Sequence, residues 1–336
     1  NAFNFPVWGM LEKLAPDVIT LDVQMPRMDG LQTLEELLRV RPTPVIMVSS
    51  LTQLGANTTL EALDRGALDY IAKPEGRAAA ETVFRDELPR KIRAMAGVDV
   101  RRMIAIRKKR AERASDLRLQ SAARTDTRTA VPLSPEYADK CVAIGISTGG
   151  PPALTSLFEQ LQPPLPPVVV VQHMPPQFTK AFAWRLNSLS QLEIKEAATG
   201  DVVRPNQVYI APGGMHLSLV RHGRNEVVCQ VRDGEAVSGH KPSVDVMMRS
   251  VAEIYADRAL GVIMTGMGRD GSDGCGLIRA AGGYVLGQDE ESSDVYGMNK
   301  VAFVSGNVDR QFGLDEAATV LTQQVRRFFL RSPVLR

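Results

Sequence analysis

Cysteine is scarce in this chain of 336 residues, and its copies lie far apart in the sequence. There are three, an odd number that argues against a disulfide framework: Cys141, Cys229 and Cys275. No two of them have the C-x-x-C spacing, which argues against a structural zinc site. We therefore expect a protein of a reducing compartment, the cytoplasm.

Other classes of protein are excluded by features that the chain does not have. No apolar run approaches the ~18 residues of a membrane span, and no signal peptide is visible. A net charge of +2 does not indicate binding to nucleic acid. With 44% hydrophobic and 23% charged residues, the composition is that of a globular protein of about two domains. Because the chain starts at Asn1 and not at Met, we expect an incomplete or processed N-terminus.

The most informative stretch runs from residue 141 to residue 160. Residues 141–146 are an apolar run that predicts a buried strand, and the two glycines after Thr148 allow a tight reversal. Apolar residues at helical spacing follow two prolines that suit a first helical turn. Ser147 is therefore predicted on a turn at the carboxyl end of a strand, where open α/β sheets bind their ligands.

Three interpretations of Ser147 compete. It could simply cap the helix. A phosphate-binding loop is disfavoured because no Gly-Lys-Ser/Thr follows, and the dinucleotide fingerprint fails on its glycine spacing. The stretch from Gly145 to Gly149 also fits the G-x-S-x-G pattern of a nucleophilic serine, which needs a base and an orienting acid from elsewhere.

Two further predicted strands end in residues that could complete such a site. The all-valine run 168–171 leads to His173, a candidate general base, and the apolar run 260–265 leads to a glycine-rich turn with Asp270 and Asp273. A structural histidine and a helix-capping acid are the simpler alternatives. The order serine, histidine, acid differs from that of α/β-hydrolases, so the serine motif does not predict that fold.

The region between these strands predicts short strands and a polar loop. Pro212-Gly213-Gly214 would join residues 207–211 and 216–220 as a hairpin. His216 and His222 are weak site candidates here, and His240 in the polar loop could bind substrate or serve only the loop.

Residues 140–330 resemble the catalytic domain of the bacterial chemotaxis methylesterases (protein-glutamate methylesterase and protein-glutamine glutaminase). The matching motifs are Ile144-Gly-Ile-Ser147-Thr-Gly-Gly150, Gln172-His173-Met-Pro175, Tyr209-Ile-Ala-Pro-Gly213, His240-Lys-Pro-Ser-Val-Asp245 and Thr265-Gly-Met-Gly-Arg-Asp270-Gly271. One departure is Asn299, where proline is common in the family.

That resemblance implies a reaction and a role for each residue. Ser147 would be the nucleophile, His173 the base and Asp270 the orienting acid. Backbone N–H groups of Thr148 and Met267 would hold the oxyanion, and catalysis would need no cofactor. The substrates would be glutamate γ-methyl esters on chemoreceptor helices, with release of methanol, and receptor glutamines, which would be deamidated.

The first hundred residues alternate strands and helices, a pattern that predicts a parallel sheet. Asp22, Ser49 and Lys73 fall at the carboxyl ends of its strands, and together with Met25-Pro26, Asp29-Gly30 and Tyr70 they resemble a response-regulator receiver domain. The resemblance implies that Asp22 accepts a phosphoryl group from a histidine kinase, while Ser49 and Lys73 contact the phosphoryl oxygens.

One part of the receiver pattern has no counterpart. Receivers hold Mg²⁺ with a pair of acids on their first strand, but Glu12 is the single acid before Asp17. Asp22 is then the one Mg²⁺ ligand that the pattern supplies. An open sheet that lacks its central strand exposes apolar faces, so we expect the N-terminal region to be poorly stable or covered by a partner.

We therefore predict an α/β protein of two domains. A partial, flavodoxin-like receiver would span residues 1–98, a charged linker 99–138, and a doubly wound methylesterase domain with a small β-hairpin region 139–332. Expected partners are methylated chemoreceptor helices and a histidine kinase, with no nucleic acid and with membranes reached only through receptors. A monomer is expected. The alternatives are a deregulated hydrolase and a non-catalytic signalling adaptor.

Overall fold

The computed structural model describes residues 6–25, 29–50, 52–74, 76, 80–81, 83–109, 137–223 and 226–329. The chain divides into two compact units, Asn1–Lys108 and Lys109–Arg336. Pro26 of the receiver-like motif and residues 110–136 of the predicted linker lie outside the described residues. No helix among the described residues is both long enough and apolar enough to cross a bilayer.

The N-terminal unit is built on three parallel strands in the order β1-β2-β3. The strands are β1 Ile19–Asp22, β2 Val45–Ser49 and β3 Asp69–Ala72. The helices are α1 Pro6–Leu14, α2 Gly30–Val40, α3 Gln53–Asp64, α4 Leu88–Met95, which continues a π-helical turn Val83–Glu87, and α5 over residues 100–109. The parallel sheet predicted here is confirmed.

Helix α5 lies within the segment predicted as a linker. Its residues Val100 and Met103 are buried, and the Arg107 guanidinium donates to the Leu63 carbonyl over 2.7 Å. The apolar residues of this charged segment therefore pack on the N-terminal unit.

The C-terminal unit is organised around a seven-stranded sheet in the order β12-β11-β10-β4-β5-β7-β6, with every neighbouring pair parallel. Its strands are β4 Cys141–Ile146, β5 Val168–Gln172, β6 Glu193–Glu196, β7 Gln207–Ile210, β10 Ala259–Ile263, β11 Tyr284–Gln288 and β12 Arg310–Phe312. Its helices are α6 Gly150–Gln160, α7 Pro176–Leu189, α8 Val244–Tyr255, α9 Ser272–Ala280, α10 Met298–Val304 and α11 Ala317–Phe329.

This strand order confirms the predicted doubly wound fold. From β4 the chain builds the sheet outward through β5, then returns through β10 to build the opposite side. The order therefore reverses between β4 and β10, and such a switch point opens a crevice at the carboxyl ends of the strands.

A separate two-stranded antiparallel sheet pairs β8 (His216–His222) with β9 (Glu226–Arg232). The prediction of a hairpin closed by Pro212-Gly213-Gly214 is wrong, because β7 pairs in parallel with β5 and β6. Strand β7 has three fully buried residues, and burial on both faces suits a parallel sheet better than a hairpin.

Helix α8 lies unusually close to β4, two residues before Ser147. A Cβ added at Gly145 would lie 2.3 Å from the Val244 Cγ1 atom and 3.2 Å from the Ile263 Cδ1 atom. Glycine at this position therefore sets how near the start of α8 comes to the sheet.

Gly145→Ala should lower the free energy of unfolding by about 1–3 kcal/mol, because the core cannot take the added methyl group without shifting. Val244→Ala removes the atoms that the methyl group meets. In that background Gly145→Ala should cost less than in the parent protein. Urea denaturation of the parent, both single variants and the double variant measures the coupling; additive effects would contradict the packing described here.

Candidate active site

Strands β4 and β5 bring a serine and a histidine side by side. Ile146 pairs with Gln172 in the parallel register, and Ser147 and His173 are the first residues after the two strands. The His173 backbone N–H donates to the Ile146 carbonyl over 3.1 Å. Since neighbouring strands are about 4.8 Å apart, the two side chains leave the sheet as neighbours. Ser147 is 8% exposed, and the His173 side chain is 9% exposed.

The Gln172 side chain bridges Ser147 and His173. Its side-chain amide donates to the Ser147 carbonyl and to the His173 carbonyl, each over 3.0 Å. A Cβ on Gly150 would lie 1.9 Å from the Gln172 Oε1 atom, so the turn after Ser147 needs glycine there. This bridge was not predicted from sequence, where the signal was a polar residue ending an all-valine strand.

Asp270 is fully buried and contacts His173 directly. The Asp270 Oδ2 atom and the His173 Nε2 atom are 2.7 Å apart. Asp270 therefore takes Nε2, and the other ring nitrogen of His173, Nδ1, is buried. The structure thus brings together all three of the residues that the sequence singled out at strand ends.

The carboxylate of Asp270 sits on the N-terminus of helix α8. The Ser243 hydroxyl and the backbone N–H groups of Val244 and Asp245 donate to it over 2.8, 2.7 and 3.1 Å. First-turn N–H groups lack partners within the helix, and the helix dipole favours negative charge there. A buried carboxylate is stable at this place because its charge is matched by four donors.

A second carboxylate makes the reverse connection. Asp245, in the first turn of α8, accepts from the Gly271 and Gly274 N–H groups over 2.9 and 2.8 Å at the start of α9. Asp270, just before α9, therefore caps α8, and Asp245, in the first turn of α8, caps α9. Burial, followed by the nearby Asp270 charge, raises the pKa of the Asp245 carboxyl.

Asp273, the other acid considered from sequence, is not part of this arrangement. Its side chain is 63% exposed and pairs with Arg269 over 3.2 Å. The residue pattern left both acids open because they share one turn, and the family resemblance assigned Asp270. The structural difference is that Asp270 meets α8 and Asp273 does not.

The proposed oxyanion donors flank Ser147. Thr148 is 5% exposed, and its carbonyl accepts the Thr265 hydroxyl over 3.0 Å. Met267 is half-buried and follows Gly266, where an added Cβ would lie 2.7 Å from the Ser147 Cβ atom. Glycine at position 266 thus lets the loop that carries Met267 reach the serine.

The other histidines fall in three different environments. His216 is 4% exposed; its Nε2 atom lies 2.8 Å from the Glu235 carbonyl, and its Nδ1 atom accepts the Ser243 N–H over 3.3 Å. It therefore supports the residue that caps α8. His222 is exposed at the end of the β8–β9 hairpin. His240 is half-buried, and its ring stacks on that of His173.

The N-terminal unit holds a smaller polar site at the carboxyl ends of its strands. The Lys73 ammonium is 2.6 Å from the Asp22 carboxylate, and both side chains are partly exposed. Ser49 is fully buried, and its hydroxyl donates to the Gly55 carbonyl over 3.2 Å. Lys73 therefore meets Asp22 as predicted, whereas the Ser49 hydroxyl bonds to the first turn of α3.

The surroundings of Asp22 bear on whether Mg²⁺ could bind there. The Asp22 carboxylate accepts from the Gln24 N–H over 2.9 Å on one oxygen and binds Lys73 on the other. No group of three or more histidine, cysteine or acidic residues comes together in the part of the chain that the structure describes. The described residues therefore do not form a divalent-cation site around Asp22.

The two units define a response-regulator receiver and a doubly wound α/β enzyme domain with a serine, a histidine and an aspartate at its switch point. Residues 6–84 match the model of the response regulator receiver domain, and residues 142–321 match that of CheB methylesterase. This chain belongs to the CheB methylesterase family.

Named relatives agree over almost the whole chain. A protein-glutamate methylesterase/protein-glutamine glutaminase of Pectobacterium atrosepticum is 42% identical over 94% of this chain and 85% of its own. One from Caulobacter vibrioides is 43% identical over 92% and 85%. The solved CheB methylesterase catalytic domain of Thermotoga maritima is 40% identical, covers 55% of this chain and 98% of its own, and superposes with a TM-score of 0.54.

The raised pKa of Asp245 makes a prediction about stability. The folded protein holds this proton to a higher pH than the unfolded chain, where the pKa of Asp is about 3.9. The stability contributed by the protonated form is therefore lost as pH rises above that value. Asp245→Asn keeps an oxygen acceptor for Gly271 and Gly274, but its side chain does not ionise between about pH 4 and about pH 7.

We accordingly expect Asp245→Asn to gain stability relative to the parent as pH rises from about 4 to about 7. Urea denaturation at several pH values gives the difference in the free energy of unfolding. Asp273→Asn, on the exposed side of the same loop, is the control and should show a much flatter difference. A difference that falls with pH for Asp245→Asn would contradict the assignment.

Proposed function

We propose that this chain hydrolyses the γ-methyl esters of glutamate side chains on the cytoplasmic helices of chemoreceptors and deamidates glutamine side chains at such positions. The observation that carries the proposal is the buried Asp270–His173 hydrogen bond beside Ser147 in a chain of the CheB methylesterase family. Relatives whose names state both activities support it.

In the first half of the reaction Ser147 forms an ester with the substrate. The Ser147 Oγ atom attacks the carbonyl carbon while the His173 Nδ1 atom takes its proton, and Asp270 stabilises the resulting imidazolium through Nε2. The N–H groups of Thr148 and Met267 are the proposed donors to the oxyanion. Collapse of the tetrahedral intermediate expels methanol, or ammonia from glutamine, and His173 returns the proton to this leaving group.

In the second half water regenerates the enzyme. His173 takes a proton from a water molecule that attacks the acyl group, and Ser147 leaves with that proton. The product is a glutamate carboxylate. No step calls for a cofactor, since the developing negative charge is stabilised by backbone donors and the positive charge by Asp270.

Ser147→Ala should lower methanol release by several orders of magnitude, because the attacking oxygen is lost. Asp270→Asn should lower kcat by about 10⁴. The amide can donate to Nε2 and so favours the His173 tautomer with its proton on Nδ1, which cannot accept the serine proton. The measurement is methanol released from receptor membranes that carry methyl esters. Asp273→Asn is the matched control and should stay within about twofold of the parent.

Thermal melts of each variant must show an intact fold for the comparison to count. Retention of activity by Ser147→Ala would remove Ser147 from the reaction. Absence of methanol release from the parent protein would reject the hydrolase and favour a non-catalytic signalling adaptor.

The proposal extends to control of this activity in the cytoplasm by a histidine kinase. Asp22 is the proposed phosphoacceptor, supported by its position at the end of β1 and by Lys73 as the cation beside it. A lysine ammonium can neutralise part of the charge of a bound phosphoryl group. Phosphorylation of Asp22 would then raise the rate of ester hydrolysis by the C-terminal unit.

A phosphoryl donor should raise methanol release by about 5-fold or more, the usual lower range of coupling between two sites. Asp22→Asn should abolish the increase and leave the basal rate unchanged, since Asp22 belongs to the other unit. Asp17→Asn, an exposed acid before β1, serves as control and should respond like the parent. If the phosphoryl donor does not change methanol release by the parent protein, the result would support a deregulated hydrolase and not a controlled one.

A further inference from the structure

The imidazole of His240 lies flat against that of His173. The ring centroids are 3.7 Å apart, and the ring planes differ by 7°. His173 is therefore held in two ways, by Asp270 at Nε2 and by a second aromatic ring on one face. A single hydrogen bond at Nε2 leaves the ring free to tilt about that bond, and a stacked neighbour removes this freedom.

A tight backbone turn holds His240 in place. Val237 and His240 exchange two backbone hydrogen bonds of 3.1 and 2.9 Å. The two residues between them, Ser238 and Gly239, have φ values of 52° and 77°, as in the type I′ turns of two-residue hairpins. Ser238 thus adopts a conformation that is unfavourable for a residue with a side chain, which marks a position under functional or structural constraint.

The same turn is bonded to the start of α8, the helix whose first N–H groups bind Asp270. The Ser238 hydroxyl donates to the Asp245 Oδ2 atom over 3.0 Å, and Asp245 donates its backbone N–H to Asp270. His240 and Asp270 therefore take their positions from one helix start. The stack and the hydrogen bond fix the His173 ring relative to the same rigid element.

We infer that His240 is a positioning residue for the reaction proposed above, on which this inference rests. It keeps the plane of the His173 ring fixed while Nδ1 takes the Ser147 proton in the proposed reaction.

Other charged groups around the pair are matched by partners of opposite charge or by donors. Asp270 and Asp245 bind helix N-termini. Lys241 pairs with Asp233 over 2.6 Å, and Arg269, next to Gly268 at the edge of the His240 ring, pairs with Asp273. Among the described residues, Asp270 contacts the edge of the His173 ring and His240 lies against its face.

The first test separates positioning from substrate binding with two apolar variants, one flat and one branched. His240→Phe keeps a flat ring against His173, whereas His240→Leu does not. We expect kcat for methanol release to stay within about threefold of the parent in His240→Phe and to fall at least about tenfold in His240→Leu, with KM changed less than about threefold in both. His222→Phe, at the exposed end of the hairpin, is the control for a histidine-to-phenylalanine change and should behave as the parent.

Equal losses of kcat in His240→Phe and His240→Leu would overturn the stacking role. A loss that appears in KM alone would overturn it as well, since that pattern belongs to a residue that binds substrate. Thermal melts confirm that each variant is folded.

The second test does not depend on activity. The chain has four histidines, so NMR can resolve the ring resonances of each imidazole. In His240→Leu the His173 ring resonances should shift clearly from their positions in the parent, because the stacked ring is lost, and in His240→Phe they should shift less, because a flat ring remains. His173 resonances that stay in place in His240→Leu would overturn the stacking role even if the proposed substrate proved wrong.

Discussion

The catalytic unit depends on one buried charge, the Asp270 carboxylate at the N-terminus of α8. A carboxylate with no exposure is stable only when its charge is fully matched, and here four donors match it. Three of these donors belong to the start of α8. That helix start must therefore reach the sheet at one place, which is why Gly145 leaves space for it beside β4.

The same constraint explains why the acids occur as a crossed pair. Asp270 caps α8 from the loop after β10, and Asp245 caps α9 from the first turn of α8. Neither loop can shift without removing the donors of a buried carboxylate. This rigidity is what a proton-transfer site needs, since His173 can serve Ser147 only while its ring keeps one orientation.

Much of this arrangement could be predicted from particular residues. Apolar runs ending in Ser147, His173 and the Asp270 turn identified a parallel sheet whose strand ends share an edge, and Asp22 with Lys73 did the same for the N-terminal unit. The path of β7 and the packing of α5 were harder to predict. The structure of both segments depends on the elements they pack against. The local sequence pattern of a short segment does not show which elements those are.

The sequence by itself determined the alternation of strands and helices and the residue types at strand ends, because apolar periodicity and glycine turns act over a few neighbouring positions. Only the tertiary structure decided which nitrogen of His173 the Asp270 carboxylate takes and which ring stacks on it. Those choices bring together residues as far apart as 173 and 270. They depend on how closely a helix can approach a strand, a distance set by packing in three dimensions.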